Sequence, residues 1–281
     1  MTATAHNVTP SSSPAGNRAA PSADGSSSDA RPPLSLVPSK CFICDNDEAE
    51  PVAVGEDFDL STSPDTFLAV RCRGCGLVYL NPVPTPLELE RTHLLGRALR
   101  GEIARFCRRL GDSARVLHVH GVEDLDHPGN AYDAVLLTNV LERVDDPLST
   151  LKATRQLLQP GGIGLIITPN TEATVCGVFQ GRHWSGYDFP RHRNLFCAQA
   201  LGQATRMAGL EIVSVRTVGD AEAWVRSLRN TMTDWRIPPW ALAALNRGWW
   251  FALMAGTAIE WWQQLRVKGG LLVATLRRPA E

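Results

Sequence analysis

The stretch Tyr132-Asp-Ala-Val-Leu-Leu-Thr-Asn-Val-Leu-Glu-Arg-Val-Asp-Asp-Pro147, taken up again at Leu157-Leu-Gln-Pro-Gly-Gly-Ile-Gly-Leu-Ile-Ile-Thr-Pro-Asn170, decides the fold. Ala134–Thr138 and Ile163–Thr168 are apolar runs of strand length, and a helical stretch near Pro147–Leu158 lies between them. Gly161-Gly162, after Pro160, is expected to stop that helix and turn the chain into the next strand. Working outward, the same alternation recurs. Val116–Val119 precedes it; a helix near Ala198–Ala208, a strand at Glu211–Val218 and a closing run at Leu271–Leu276 follow. Strands alternating with helices are the rhythm of a parallel sheet covered by helices.

Composition bounds the rest. With 28 basic and 29 acidic side chains in 281 residues, the chain as a whole presents no field that would draw in nucleic acid. The length suits one medium core plus a small satellite module. Residues 1–38 are dominated by Ser, Ala, Pro, Gly and Thr and are expected to stay disordered, because few large apolar groups offset the entropy of ordering them. A cysteine-bearing module is expected over 39–82, a helical connector over 83–112, the α/β core over 113–219, and a Trp-rich helical insertion with the closing strand over 220–281. The longest uncharged stretch of that insertion, Gly248 to Ile259, is well short of the ~20 residues that span a bilayer. No secretion signal is read at the amino terminus, so a cytoplasmic location is expected.

In a reducing compartment two CxxC pairs point to metal before disulfides. Cys41-Phe-Ile-Cys44 and Cys72-Arg-Gly-Cys75 each place two thiols on one side of an ion, which matches the four soft ligands of tetrahedral zinc. The 27 intervening residues suffice for a hairpin or loop. Four thiolates leave no open position for a reactive water, so the expected role is structural. Reduced, unmetallated turns or a thiol redox pair are the competing readings.

These residues together resemble a known family. A CxxC…CxxCGLVYLNP module followed by the phrases quoted above, and by Arg182-His-Trp-Ser-Gly-Tyr-Asp-Phe-Pro-Arg-His-Arg-Asn-Leu-Phe196, is similar to bacterial class I S-adenosylmethionine-dependent methyltransferases that modify sugars, lipids or other small metabolites. The resemblance implies an α/β, Rossmann-like parallel sheet with a small N-terminal zinc-binding module and a helical insertion before the last strand. It also implies S-adenosylmethionine as cofactor and a small-molecule acceptor, with no nucleic-acid partner.

The family holds its cofactor with a glycine-rich turn after the first strand and an acidic residue ending the second. Here Arg115-Val-Leu-His-Val-His-Gly121 runs almost directly into the Tyr132 phrase, so the turn and about 40 residues of strand and helix are missing. Either Val116–Val119 is the first strand and the next two are deleted, or it is the third and the first two are gone. Gly121, Asp124, Thr138 and Asn139 are the positions left for cofactor contacts, and Arg143 stands where the family often has histidine.

The segment 182–193 lies where family members bind the acceptor. It offers His192 first and His183 second as general base, since a histidine titrates near neutrality. Trp184, Tyr187, Asp188 and Arg191 are the expected substrate contacts, with an Asp188–Arg191 pair and aromatic packing as the bland alternatives. The Trp-rich tail, flanked by Arg226, Arg229, Arg236, Arg247, Arg266 and Lys268, suits either a peripheral contact with the inner membrane face or a dimer contact. Two functions from different classes result: a methyltransferase acting on a small molecule, or a truncated relative serving as a binding or scaffold protein.

Overall fold

The computed structural model describes residues 33–45, 48–85, 100–111, 113–127, 129, 131–238, 240 and 268–280. Residues Arg31–Glu281 form one compact unit. The main sheet has five strands: β6 (Val116–Val119), β7 (Tyr132–Thr138), β8 (Leu158–Pro169), β10 (Glu211–Val218) and β11 (Leu271–Arg277), in the spatial order β10-β11-β8-β7-β6. β6, β7 and β8 are parallel, and β11 runs antiparallel between β8 and β10. β7 is buried from Ala134 to Leu137, as its unbroken apolar run requires of a strand covered on both faces.

β6 pairs directly with β7, Val116 opposite Ala134 through Val119 opposite Leu137. In a doubly wound sheet of order 3-2-1-4-5, the strand beside the fourth is the first. Val116–Val119 therefore holds the first strand's place in the sheet. The strands that would follow it are absent, and among the described residues β6 ends the sheet.

Helix α2 (Pro147–Leu157) crosses from β7 to β8. Asp146 caps it by accepting the Ser149 amide at 2.9 Å, and proline opens its first turn. The expected glycine stop is corrected here: the helix ends at Leu157, and Leu158 is already extended. Pro160 excludes the helical conformation from the residue before it, so the strand begins early and carries Gly161 and Gly162 inside it. Gly161 adopts a φ of 79° and bonds the Arg278 carbonyl, which fastens the start of β8 to the end of the chain.

The second sheet joins β2 (Ala49–Gly55), β3 (Phe67–Cys72), β4 (Val78–Leu80) and β9 (Asn194–Leu195), all antiparallel. The residues between the two CxxC pairs thus form the β2–β3 hairpin, and β9 follows directly on the segment 182–193 expected to hold the substrate. Residues 33–38 belong to the stretch expected to lack order, yet β1 (Leu36–Val37) pairs with β5 (Val83–Pro84), and Leu34 and Leu36 pack on buried apolar groups. Helix α1 (Arg100–Leu110) is the described part of the connector. Short α3 (Thr174–Val178), α4 (Ala198–Met207) and α5 (Ala221–Asp234) complete the elements used below. The remaining expected helix of the insertion, residues 241–267, lies outside the described residues.

The cysteine module does not have a core of its own. Cys41, Cys72, Cys75, Leu77 and Tyr79 pack in one apolar cluster with Val119, Val135, Leu137 and Phe196 of the main sheet and its connections.

Candidate functional site

The four cysteines converge. Their Sγ atoms all lie within 4.8 Å of one another, with Cys41 and Cys75 at 3.4 Å. A tetrahedron of sulfurs at ~2.3 Å from zinc has edges of about 3.8 Å, so the set is of the right size. The two turns are built alike. Cys41 Sγ accepts the amides of Ile43 and Cys44, as Cys72 Sγ accepts those of Gly74 and Cys75. The amide four residues on from each leading cysteine, Asp45 or Gly76, bonds that cysteine's carbonyl at 2.9 or 3.0 Å. Both of those residues have positive φ, 49° and 78°. At Gly76 a Cβ would stand 3.2 Å from the Cys197 sulfur, so glycine meets both requirements there. Burial pushes the Cys75 and Cys41 thiols up, while at Cys72 the amides outweigh burial and bring it down. Three of the four cysteines are buried and Cys44 is exposed, and the set offers four sulfur ligands of a kind that suits zinc.

A second feature lies at the carboxyl ends of β6 and β7, the side of a parallel sheet that binds ligands. A cleft of about 630 Å³ is lined there by His120, Gly121, Leu125, Val140, Arg143 and Ser149, among others. That volume is typical of small-molecule sites. Of the four positions expected to touch a cofactor, Gly121 lines the cleft. Asp124 instead accepts the amides of His120 at 2.7 Å and Gly121 at 3.3 Å, closing the short 3-10 turn Val122–Leu125 on itself. Thr138 and Asn139 end β7 outside the ring of lining residues, with Asn139 in a left-handed conformation, φ 55°.

Two observations bear on whether this cleft fits an adenosyl cofactor. A Cβ on Gly121 would come within 2.2 Å of the Glu123 carboxylate, so glycine at this position makes room for that side chain. Arg143 lines the cleft with its side chain 9% exposed, and its Nε and Nη1 are buried without a partner. Arg143 thus brings one positive charge to a cleft that Glu123, Asp145 and Asp146 also line.

The segment 182–193 forms a buried ionic network behind the cleft. Arg191, 2% exposed, clasps Asp57 through both terminal nitrogens at 3.0 and 2.9 Å and Asp188 at 2.6 and 3.0 Å. Asp188 takes φ 37°, which aspartate tolerates better than most residues, and its carbonyl receives the Arg191 amide at 2.7 Å. Its other oxygen lies 3.6 Å from Arg143 Nη2 and 3.5 Å from His192 Nε2. Burial would raise the Asp188 carboxyl, but His192, Arg191 and Arg226 together hold it well below the usual range.

His192 is nearly enclosed. Its Nδ1 donates to the Gly186 carbonyl at 2.8 Å, which leaves Nε2 as a free lone pair, 4.0 Å from Glu142 Oε1. Burial depresses the imidazole to about 4. Glu142 is fully buried, accepts the Thr168 hydroxyl at 2.9 Å, and is pushed up by burial to about 7. Sequence reasoning missed Glu142, Asp57 and Asp59; the one local signal was a charged pair, Glu142-Arg143, inside the apolar run Val140–Val144.

His183 lies apart from His192, its Nε2 2.9 Å from Asp234, a carboxylate that Arg182 also grips. Trp184 and Tyr187, expected to face a substrate, turn into the second apolar cluster instead. The two rings meet edge-on at 5.0 Å, and Tyr187 stacks on Phe189 at 5.2 Å. Large rings of this kind contribute most by burial. In the Trp-rich region Trp224 packs on the same cluster, whereas Trp235 and Trp240 are 70% and 73% exposed. The other four of that region lie outside the described residues. No helix among the described residues is long and apolar enough to cross a membrane.

The opposed shifts of Glu142 and His192 predict a pH signature. A raised carboxyl stabilises the fold at low pH, and that contribution is lost as pH rises toward about 7. A depressed imidazole stabilises it above its ordinary 6.5, and that contribution is lost as pH falls toward about 4. Between these limits the pair carries about one proton in both states, on the imidazole when unfolded and on the carboxyl when folded, so the two slopes cancel. Glu142→Gln removes the cancellation. The variant is expected to lose about 2 kcal/mol more than the wild type between pH 7 and pH 5 in urea titrations. An equal change in both proteins refutes the pairing.

A mixed sheet with a cleft at its parallel carboxyl edge and a strand order of the doubly wound type defines an α/β protein of the Rossmann-like class. The chain belongs to the methyltransferase-domain family, whose model matches residues 70–215. It is similar to ubiquinone biosynthesis O-methyltransferases of Ruegeria pomeroyi and Cereibacter sphaeroides, each 48% identical over 48 residues, 17% of this chain and 19% of the relative. The chain thus matches about a fifth of the length of these curated relatives. Among solved structures it resembles an S-adenosylmethionine dependent methyltransferase from Mesorhizobium loti, 14% identical over 63% of this chain and 86% of that one, at a TM-score of 0.35.

Proposed function

We propose that this protein transfers a methyl group from S-adenosylmethionine to a small-molecule acceptor of the sugar, lipid-linked or other metabolite class. The observation that carries the reading is the cleft of about 630 Å³ at the carboxyl edge of the methyltransferase-family sheet. Gly121 and Arg143 both line that cleft. The bound cofactor would supply an electrophilic methyl; the protein's part is alignment, since His192 and His183, the bases expected from the sequence, are not among the residues lining the cleft. Structural zinc on Cys41, Cys44, Cys72 and Cys75 belongs to the same proposal, supported by the converging sulfurs and the paired turns.

One observation favours a second reading. Among the described residues the sheet stops at β6, and the Asp124 carboxylate is engaged by its own turn. A chain so reduced could serve as a non-catalytic binding or scaffold protein. Calorimetric titration with S-adenosylmethionine and S-adenosylhomocysteine separates the two. Micromolar binding is expected for a methyltransferase; no heat and no thermal shift at millimolar ligand supports the scaffold.

A further inference from the structure

Beyond the carboxyl end of β8, on the edge of the parallel strands that binds ligands, two adjoining clefts of about 470 and 570 Å³ share Arg71, Thr171, Glu172 and Lys268 in their walls. They share no residue with the cleft of His120 and Arg143. Arg71 comes from β3, Thr171 and Glu172 follow β8, and Lys268 stands just ahead of β11, its carbonyl accepting the Thr174 amide at 3.2 Å. One groove is thus walled by the cysteine module and by connections of the main sheet. Its size is that of small-molecule sites.

The charges of the groove favour an anion. Among the described residues Arg71 and Lys268 line it as cations, and Glu172 is the one acid. Both cations are exposed, and neither forms an ion pair with a described residue. Glu50, opposite Arg71 on β2, turns to Arg73 instead, 3.9 Å away. The Arg71 charge is felt by Cys176 and Tyr187 in the smaller cleft and the Glu172 charge by Cys197 in the larger, so the smaller cleft is the cationic end. Thr174 and Gln180 add neutral donors there, while Val52 and Val178, the latter 59% exposed, add apolar surface. A guanidinium and an ammonium open to solvent can close on a phosphate or carboxylate without giving up a partner of their own.

We propose that this groove is the acceptor site, and that the acceptor is an organic anion, a phosphate or carboxylate on a partly apolar body, gripped by Arg71 and Lys268. The acceptor role rests on the methyl-transfer reading given above; the anion site rests on the groove. The cysteine module then takes part in substrate recognition as well as in the fold.

Titration calorimetry on the full chain at low ionic strength tests this with phenyl phosphate and benzoate, which carry the two anionic groups on one ring, and with phenol as their neutral counterpart. At least one anion is expected to bind with a dissociation constant of about 1 mM or lower, and phenol about 10-fold more weakly. The tighter of the two anions identifies the group. Arg71→Gln and Lys268→Gln are each expected to weaken it about 10-fold, and Glu172→Gln to strengthen it. Arg108→Gln, at an exposed arginine of α1 outside the groove, is expected to leave it unchanged. All four positions are exposed, so these variants should fold.

Binding of neither anion, phenol bound as tightly as the anions, or an equal loss in Arg108→Gln overturns the site. S-adenosylmethionine binding, measured separately, would then leave the methyl-transfer reading standing. An anion held through Arg71 and Lys268 by a chain that binds no S-adenosylmethionine keeps the site and removes its role as acceptor site.

Discussion

Cys72→Ser is expected to destabilise the whole folded unit by about 4–5 kcal/mol or more, the scale associated with losing a structural metal. A thermal midpoint lower by roughly 10–20 °C follows for a chain of this size. The loss does not stay at the front of the chain. Cys41, Cys72 and Cys75 belong to the same apolar cluster as Val119, Val135 and Leu137, so the sulfur site and the main sheet share one core. β4 and β9 tie the module to the segment that carries His192 as well. Excess chelator acting on the wild type should reproduce the drop and release about one zinc per chain, read with a colorimetric dye. An unchanged midpoint in chelator, with no metal released, would sink the zinc assignment.

Arg191→Met has the second largest expected effect. Arg191 and Asp57 are 2% and 0% exposed at their side chains, and Asp188 is 8% exposed. Removing the cation strands two buried carboxylates, for which a loss of about 3–5 kcal/mol is expected. The pair itself contributes less than this, because desolvating both partners offsets much of their attraction. Adding Asp57→Asn to Arg191→Met should therefore recover stability, measured by urea unfolding. Additive losses in the double variant would show that Arg191 acts through packing and not through charge.

Several features were legible before any coordinates. The CxxC pairs announce their turns because the geometry is local: two thiols, two amide-to-sulfur contacts and one positive-φ residue fit within five positions. The strand and helix rhythm from Val116 to Val218 is equally local, since a buried parallel strand must be continuously apolar. The end of α2 was misplaced because two glycines are an obvious stop. The proline before them acts first.

The sequence by itself determined the family, the two CxxC pairs and the short span between β6 and β7. Only the tertiary structure decided what those facts mean. The place of Val116–Val119 in the sheet is known from its neighbour, not from its residues. Asp188 and Arg191 look like substrate groups in a loop until Asp57, 134 residues away from Arg191, closes on them. Glu142 reads as an ordinary charge until the 182–193 segment covers it and shifts its proton affinity. The reason is common to all three. Strand neighbours, ion partners and burial depend on contacts between distant parts of the chain, whereas turns and periodicity are fixed within a few residues.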